Sequence, residues 1–347
     1  MLVLVLMSAF LEIGARLSFP EFKNHIFSKN KTMNLTYHDG DFHGYQVRKP
    51  NSEIFSTKSL PLVIIVGDSI SGGYGAAYED IWWEKLRRIL NTAGKNYEII
   101  SISRYGQNIG DAVMAVDTIS KKEKIKIEKI IYQFNFNDIM PFQKKDLRNI
   151  NKSQNRDISS SFNKFRYEYL NHSVFLRTLQ HYAGKLIRKT SGTCKERDLH
   201  ALGPYTWSFG SISRLKESEI YWDSFKKNIL SMRDSSKKIG SDFEIFISPI
   251  VYDIDMDGMH PHFNHLNYDF SCSSLNPREE IHSFSESIGI KVYDPYKELR
   301  RSFEERLKEG NFSPYFFPGD DNHFTPLASS YIAEVIATEW SDRIEEK

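Results

Sequence analysis

Ser69 and His323 are the residues whose types and setting allow nucleophilic chemistry in this chain. Ser69 stands in Gly67-Asp68-Ser69-Ile70, directly behind the strand-like run Leu60-Pro61-Leu62-Val63-Ile64-Ile65-Val66. His323 closes Asp320-Asp321-Asn322-His323 near the other end. A serine hydroxyl barely ionises at neutral pH, so it attacks only when an imidazole takes its proton, and that imidazole needs an acceptor that fixes its tautomer. Both needs are met by the second stretch. Gly-Asp-Ser alone carries little, because turns favour all three residue types. Placement carries more: a nucleophile directly behind a buried strand sits at the carboxyl edge of a sheet, where open α/β folds bind ligands. Ser71, Gly72 and Gly73 let the backbone turn closely there.

The elements that must position these residues are legible from Leu60 onward, where apolar strands alternate with amphipathic helices. Strands are expected at 61–66, 97–103, 129–135, 243–248 and 290–293, and helices at 79–93, 110–122, 222–239, 296–308 and 326–343. Such alternation predicts a parallel sheet covered by helices on both faces. Residues 18–59 show no sustained period and read as a membrane-proximal linker or irregular lead-in. The interval 141–221 breaks the rhythm, with a helix expected around Phe162 to Lys189, and reads as an insertion above the sheet.

Three further blocks fall at the same sheet edge. Ser103-Arg104-Tyr105-Gly106-Gln107-Asn108 follows the second strand and Phe134-Asn135-Phe136-Asn137-Asp138 the third. Gly319-Asp320-Asp321-Asn322-His323-Phe324-Thr325-Pro326 precedes the last helix. With these the chain resembles the SGNH hydrolases, also called the GDSL lipase/acylhydrolase family, whose blocks carry Ser, Gly, Asn and His in this order. The resemblance covers roughly residues 60–343. It implies Ser69 as nucleophile, His323 as base and Asp320 as its orienting acid, with Asp321 as the neighbouring alternative. It also implies an oxyanion hole built from the backbone N–H groups of Ser69 and Gly106 and the amide of Asn137, donors that stabilise charge on a carbonyl oxygen. Asn135 departs from the pattern, standing where the family often has glycine. Asp68 reads as a turn residue and Asp138 as a local brace for the loop that carries Asn137.

A three-layer α/β/α domain follows over residues 60–347, with a flavodoxin-like, mainly parallel five-stranded sheet and the insertion at about 141–221. The composition, 40% hydrophobic and 26% charged over 347 residues, supports a sizeable core. Forty-six basic against 45 acidic residues leave a net charge of +1. That balance provides no large field for nucleic acid. No cofactor is implied by the triad. Cys194 and Cys272 are too few for a disulfide scaffold, and whether they pair is left open. His260, His262 and His265 lack cysteine or acidic partners at familiar ligand spacing and read as a solvated or substrate-lining loop. Trp82 and Trp83 read as core, and Tyr315, Phe316 and Phe317 as packing beneath the loop of His323.

Residues 1–17 open with an apolar run from Met1 to Leu11, broken by Ser8 and followed by Glu12 and Arg16. The run is shorter than the ~20 residues that span a bilayer. It is expected to be the end of a signal anchor, placing the domain outside the cytoplasm at a membrane; the alternative is an amphipathic or buried first helix. The expected activity is hydrolysis of an O-acyl ester, O-acetyl foremost, of a glycan or lipid through an acyl-serine. An O-acyltransferase using the same triad, and a non-catalytic glycan-binding domain with a relic site, are the alternatives.

Overall fold

The computed structural model describes residues 2–18, 40–42, 45–48, 60–73, 76–103, 107, 109–122, 126–139, 175, 218–254, 277–311, 313, 315–316 and 323–342. Five parallel strands form the heart of the sheet: β3 (Leu62–Gly67), β4 (Glu98–Ser103), β5 (Ile127–Phe134), β6 (Asp242–Ile247) and β7 (Lys291–Tyr293). Two short strands, β1 (Gly40–Phe42) and β2 (Tyr45–Arg48), extend it antiparallel. The full order is β1-β2-β4-β3-β5-β6-β7. Counting only the parallel strands, the order is 2-1-3-4-5, the flavodoxin-like arrangement, with the reversal between β3 and β5.

Among the described residues the sheet therefore has seven strands: the five parallel ones expected and two antiparallel ones from the lead-in. The lead-in 18–59 is not wholly irregular, since Val47 and Arg48 pair with Ile102 and Ser101 on β4. Strands β1 and β2, within the lead-in, thus belong to the sheet.

Helices cover both faces. α1 (Leu2–Ser18) precedes the sheet; α2 (Trp82–Thr92) and α3 (Ile109–Lys122) follow β3 and β4. α4 (Ser218–Lys238) leads into β6. A short α5 (Val251–Ile254) and then α6 (Pro277–Ser287) separate β6 from β7, and α7 (Tyr296–Lys308) and α8 (Pro326–Asp342) close the chain. α2 packs with α8, and α3 with α4, so the two pairs form the outer layers. β3 is buried along its whole length, which explains its unbroken apolar run: a strand covered on both faces has no solvent side to carry polar residues. α2 buries Trp82, Trp83, Leu86 and Leu90, a stripe at helical spacing. Trp82 and Trp83 are core, as their sequence setting implied.

Gly67 ends β3 under tight constraint. A Cβ there would lie 2.1 Å from Ser71 Oγ and 3.0 Å from the carbonyl oxygen of Gln133. Gly67→Ala should therefore cost about 1–3 kcal/mol as overpacking, read as a lowered urea midpoint at unchanged slope. Ser71→Gly in the same chain removes the nearest atom and should recover part of the loss.

The helix expected at 162–189, the cysteines, and His260, His262 and His265 lie outside the described residues, apart from Phe175. The Phe175 backbone N–H donates to Glu12 Oε2 at 3.1 Å. No helix among the described residues is long and apolar enough to cross a membrane. α1 has 17 residues and exposes Met7, Phe10, Ile13 and Leu17.

Candidate active site

Ser69 belongs to a tight turn that begins as soon as β3 ends. Gly72 N–H donates to the carbonyl of Asp68 at 3.1 Å and Gly73 N–H to that of Ile70 at 3.0 Å. The Asp68 carboxylate accepts the Ile70 N–H at 2.9 Å, so Asp68 closes the turn, as its sequence setting implied. Gly73 takes φ +67°, and a Cβ there would run into the Ile81 side chain at 2.5 Å. Trp83 Nε1 donates to the Ser71 carbonyl at 2.8 Å, tying the turn to α2. Packing thus fixes the backbone around Ser69 on both sides.

His323 is held just as firmly from the other end of the chain. Phe324 forms an isolated antiparallel bridge with Phe316, their rings 5.8 Å apart. Thr325 N–H donates to the Tyr315 carbonyl at 2.9 Å. α8 then starts at once: Thr325 Oγ1 accepts the Ala328 N–H at 3.4 Å, and Pro326 occupies the first helical position. A hydroxyl cap followed by proline is a strong helix start, because proline lacks only an N–H that the first turn would leave unpaired. Tyr315 and Phe316 are buried here, in the packing role expected of them.

These two supports bring Ser69 Oγ within 3.0 Å of His323 Nε2, across 254 residues of sequence. That is hydrogen-bond reach for a hydroxyl donating to an unprotonated imidazole nitrogen, the tautomer in which Nδ1 carries the proton. Ser69 is 9% exposed and His323 6%. The pair is shielded from bulk water, which strengthens the electrostatics of proton transfer.

Asn137 lies on the 3-10 turn Phe136–Ile139 directly after β5, on the opposite side of the β3/β5 reversal from β4. Asp138 N–H donates to the Asn135 carbonyl at 2.9 Å, and the Asn135 N–H donates back to Asp138 Oδ2 at 2.8 Å. Asp138 thus braces the turn, as its position suggested. Tyr132, which the sequence reading passed over, donates its hydroxyl to the same Oδ2 at 2.8 Å. Burial first, and then the nearby Asp68 carboxyl, push the Asp138 carboxyl well above the usual range. Burial likewise pushes the Tyr132 phenol up, so it stays neutral. Asp320, Asp321 and Gly106 lie outside the described residues.

A second polar bridge stiffens the same edge. Gln133, fully buried on β5, donates to Ser248 Oγ at 2.7 Å and accepts from Trp82 Nε1 at 3.1 Å. Ser248 N–H donates to the Phe134 carbonyl at 2.9 Å, so the ends of β5 and β6 are held level. Among the described residues no group of three His, Cys, Asp or Glu is placed to hold a metal ion.

No family model matches the chain, and no curated protein is a significant match. Solved structures do resemble it. A member of the lipolytic G-D-S-L family from Veillonella parvula shares 14% identity over 80% of this chain and 96% of its own, with a TM-score of 0.38. The psychrotrophic esterase EstA from Pseudoalteromonas sp. shares 11% over 82% and 98%, with a TM-score of 0.40. An acetyl xylan esterase shares 14% over 80% and 98%, with a TM-score of 0.39. The chain is similar to all three. At these identities and scores the likeness adds no weight to a function, which rests on the geometry around Ser69.

Proposed function

We propose that this protein is a serine esterase that cleaves an O-acyl ester of a glycan or lipid, O-acetyl foremost, through an acyl-serine intermediate. One observation carries the reading: a buried serine hydroxyl at the end of a central parallel strand, 3.0 Å from a buried imidazole nitrogen. In the proposed reaction Ser69 Oγ attacks the ester carbonyl while His323 Nε2 takes its proton. Asp320 orients the imidazole through Nδ1, and the developing oxyanion is met by the N–H groups of Ser69 and Gly106 and the amide of Asn137. His323 then returns the proton to the leaving alcohol. Water, activated by the same imidazole, adds to the acyl-serine and releases the acid.

The test is covalent. A fluorophosphonate ester should add one phosphonyl group to the wild-type chain, mapped by peptide mass spectrometry to Ser69, with loss of fluoride. Labelling should fail in His323→Ala, because the hydroxyl then has no base. Labelling elsewhere, or none, would remove the reading. Product analysis with and without an added sugar alcohol separates hydrolysis from acyl transfer.

The proposal extends to location: α1 lies at a membrane surface outside the cytoplasm. Its exposed Phe10, Ile13 and Leu17 support this. Co-sedimentation with phospholipid vesicles should fall when residues 1–17 are removed; unchanged binding would overturn it.

A further inference from the structure

The turn that carries Asn137 is braced by two buried side chains outside the triad. Asp138 is 5% exposed and Tyr132 1%. One carboxyl oxygen, Asp138 Oδ2, receives both the Tyr132 hydroxyl and the Asn135 N–H at 2.8 Å. The Asp138 N–H returns a bond to the Asn135 carbonyl. Residues 135–138 are therefore closed from both ends, with Asn137 inside the closure. Tyr132 stands on β5 opposite Val66, one residue before Gly67 and the turn of the nucleophile. The brace is thus anchored on the strand adjoining the one that carries Ser69.

We propose that Tyr132 and Asp138 are positioning residues for the oxyanion hole, Asp138 closing the turn that presents Asn137 and Tyr132 holding Asp138 in place. This rests on the esterase reading above. Asp138 does so as a neutral acid. Burial and the nearby Asp68 carboxyl favour that form and outweigh the hydrogen bonds from Asn135 and Tyr132, which favour the charged one; the titratable groups that bear on it among the described residues are Asp68 from the turn after β3 and Tyr132 from β5, and neither supplies positive charge. Neutrality also serves the reaction. A carboxylate one residue from an oxyanion donor would repel the charge that forms on the substrate oxygen, an effect that grows in a site shielded from water.

The functional consequence is an unusual order of variants. Asp138→Asn keeps a carbonyl oxygen in the place of Oδ2 and carries no charge, so it should resemble the working enzyme. Asp138→Ala removes the acceptor and frees the turn. Tyr132→Phe keeps the ring in the core but leaves Asp138 with one bond fewer.

Steady-state kinetics on p-nitrophenyl acetate from about pH 6 to 10 test this, with folding checked by circular dichroism. Asp138→Ala should lower kcat on the order of 10²-fold, the scale of a displaced oxyanion donor, and Tyr132→Phe about tenfold, both with KM nearly unchanged. Asp138→Asn should stay within about threefold of wild type at neutral pH. Any loss of kcat that the wild type shows on the alkaline side should be absent from Asp138→Asn, which has no carboxyl proton to lose. A merely structural brace would move stability but not that limb. Tyr132→Phe at wild-type kcat, or Asp138→Asn as impaired as Asp138→Ala, or an alkaline limb surviving in Asp138→Asn, would each overturn the inference. If Ser69→Ala is inactive while any of these occurs, the esterase reading stands and only the brace falls. If Ser69→Ala matches wild type, both fall. Should Asp138→Ala fail to fold, the Tyr132→Phe and Asp138→Asn profiles decide alone.

Discussion

Ser69→Ala should reduce turnover of p-nitrophenyl acetate on the order of 10⁴ to 10⁶ in kcat, leaving only what the oxyanion hole and binding supply. His323→Ala should fall nearly as far, and the double variant no further than either alone. The non-additivity is the informative part. If the hydroxyl and imidazole act as one unit at 3.0 Å, removing one leaves the other nothing to do. Independent roles would instead multiply, and two partial losses whose product matches the double variant would argue against the pair. A wild-type rate in Ser69→Ala would end the esterase reading outright.

Arg278→Met should destabilise the fold by about 3–5 kcal/mol, because it strands two buried carboxyl groups. Arg278, 5% exposed, donates to Asp253 on α5 at 2.5 Å and to Asp294, just beyond β7. It also stacks on Tyr296, 4.3 Å from the ring centre. One guanidinium therefore ties the carboxyl ends of β6 and β7 together. The Asp294 carboxyl is raised by burial but brought net below its ordinary range by hydrogen bonds from His282 and Arg278 and by the Arg278 charge. A carboxyl lowered in the folded state adds stability above the unfolded pKa of about 4, and that stability is lost as pH falls through the folded value. Asp294→Asn should therefore be costly at neutral pH and progressively less so below about pH 4. Asp253 shifts the other way, raised by burial and only partly offset by Arg278. Its contribution thins as pH rises. Urea midpoints at pH 3 and pH 7 check both signs, and an Arg278→Met midpoint equal to wild type would show the cluster to be dispensable.

The central strands were legible because β3 is covered on both faces and so reads as apolar residues alone. Ser69 at its end and His323 before a capped helix followed from the same placement. α6 was not foreseen. Its fully buried positions are Arg278, Ile281 and Ser285, with Phe284 partly buried beside them, so polar residues interrupt the inward side and the 3.6-residue period is faint. β1 and β2 are three and four residues long; they pair with each other, and the sheet reaches them only through β2 on β4, a neighbour some fifty positions later. Tyr132 escaped notice because a tyrosine in a strand looks like any β-former; only the fold brings its hydroxyl to Asp138. The two short antiparallel strands and one buried arginine clamp thus came from tertiary contacts that no local pattern encodes.

The hairpin at residues 40–48 has a bearing on solubility. Without it, β4 would end the sheet with an open row of amide and carbonyl groups beside an apolar strand, a template on which a second molecule can add its own strand. The opposite border, β7, has only three residues and offers little to copy. A polypeptide begun at residue 60 would keep Ser69 and His323 yet bare Ser101 and Ile102 on that border, and it should self-associate more readily than the full chain at the same concentration.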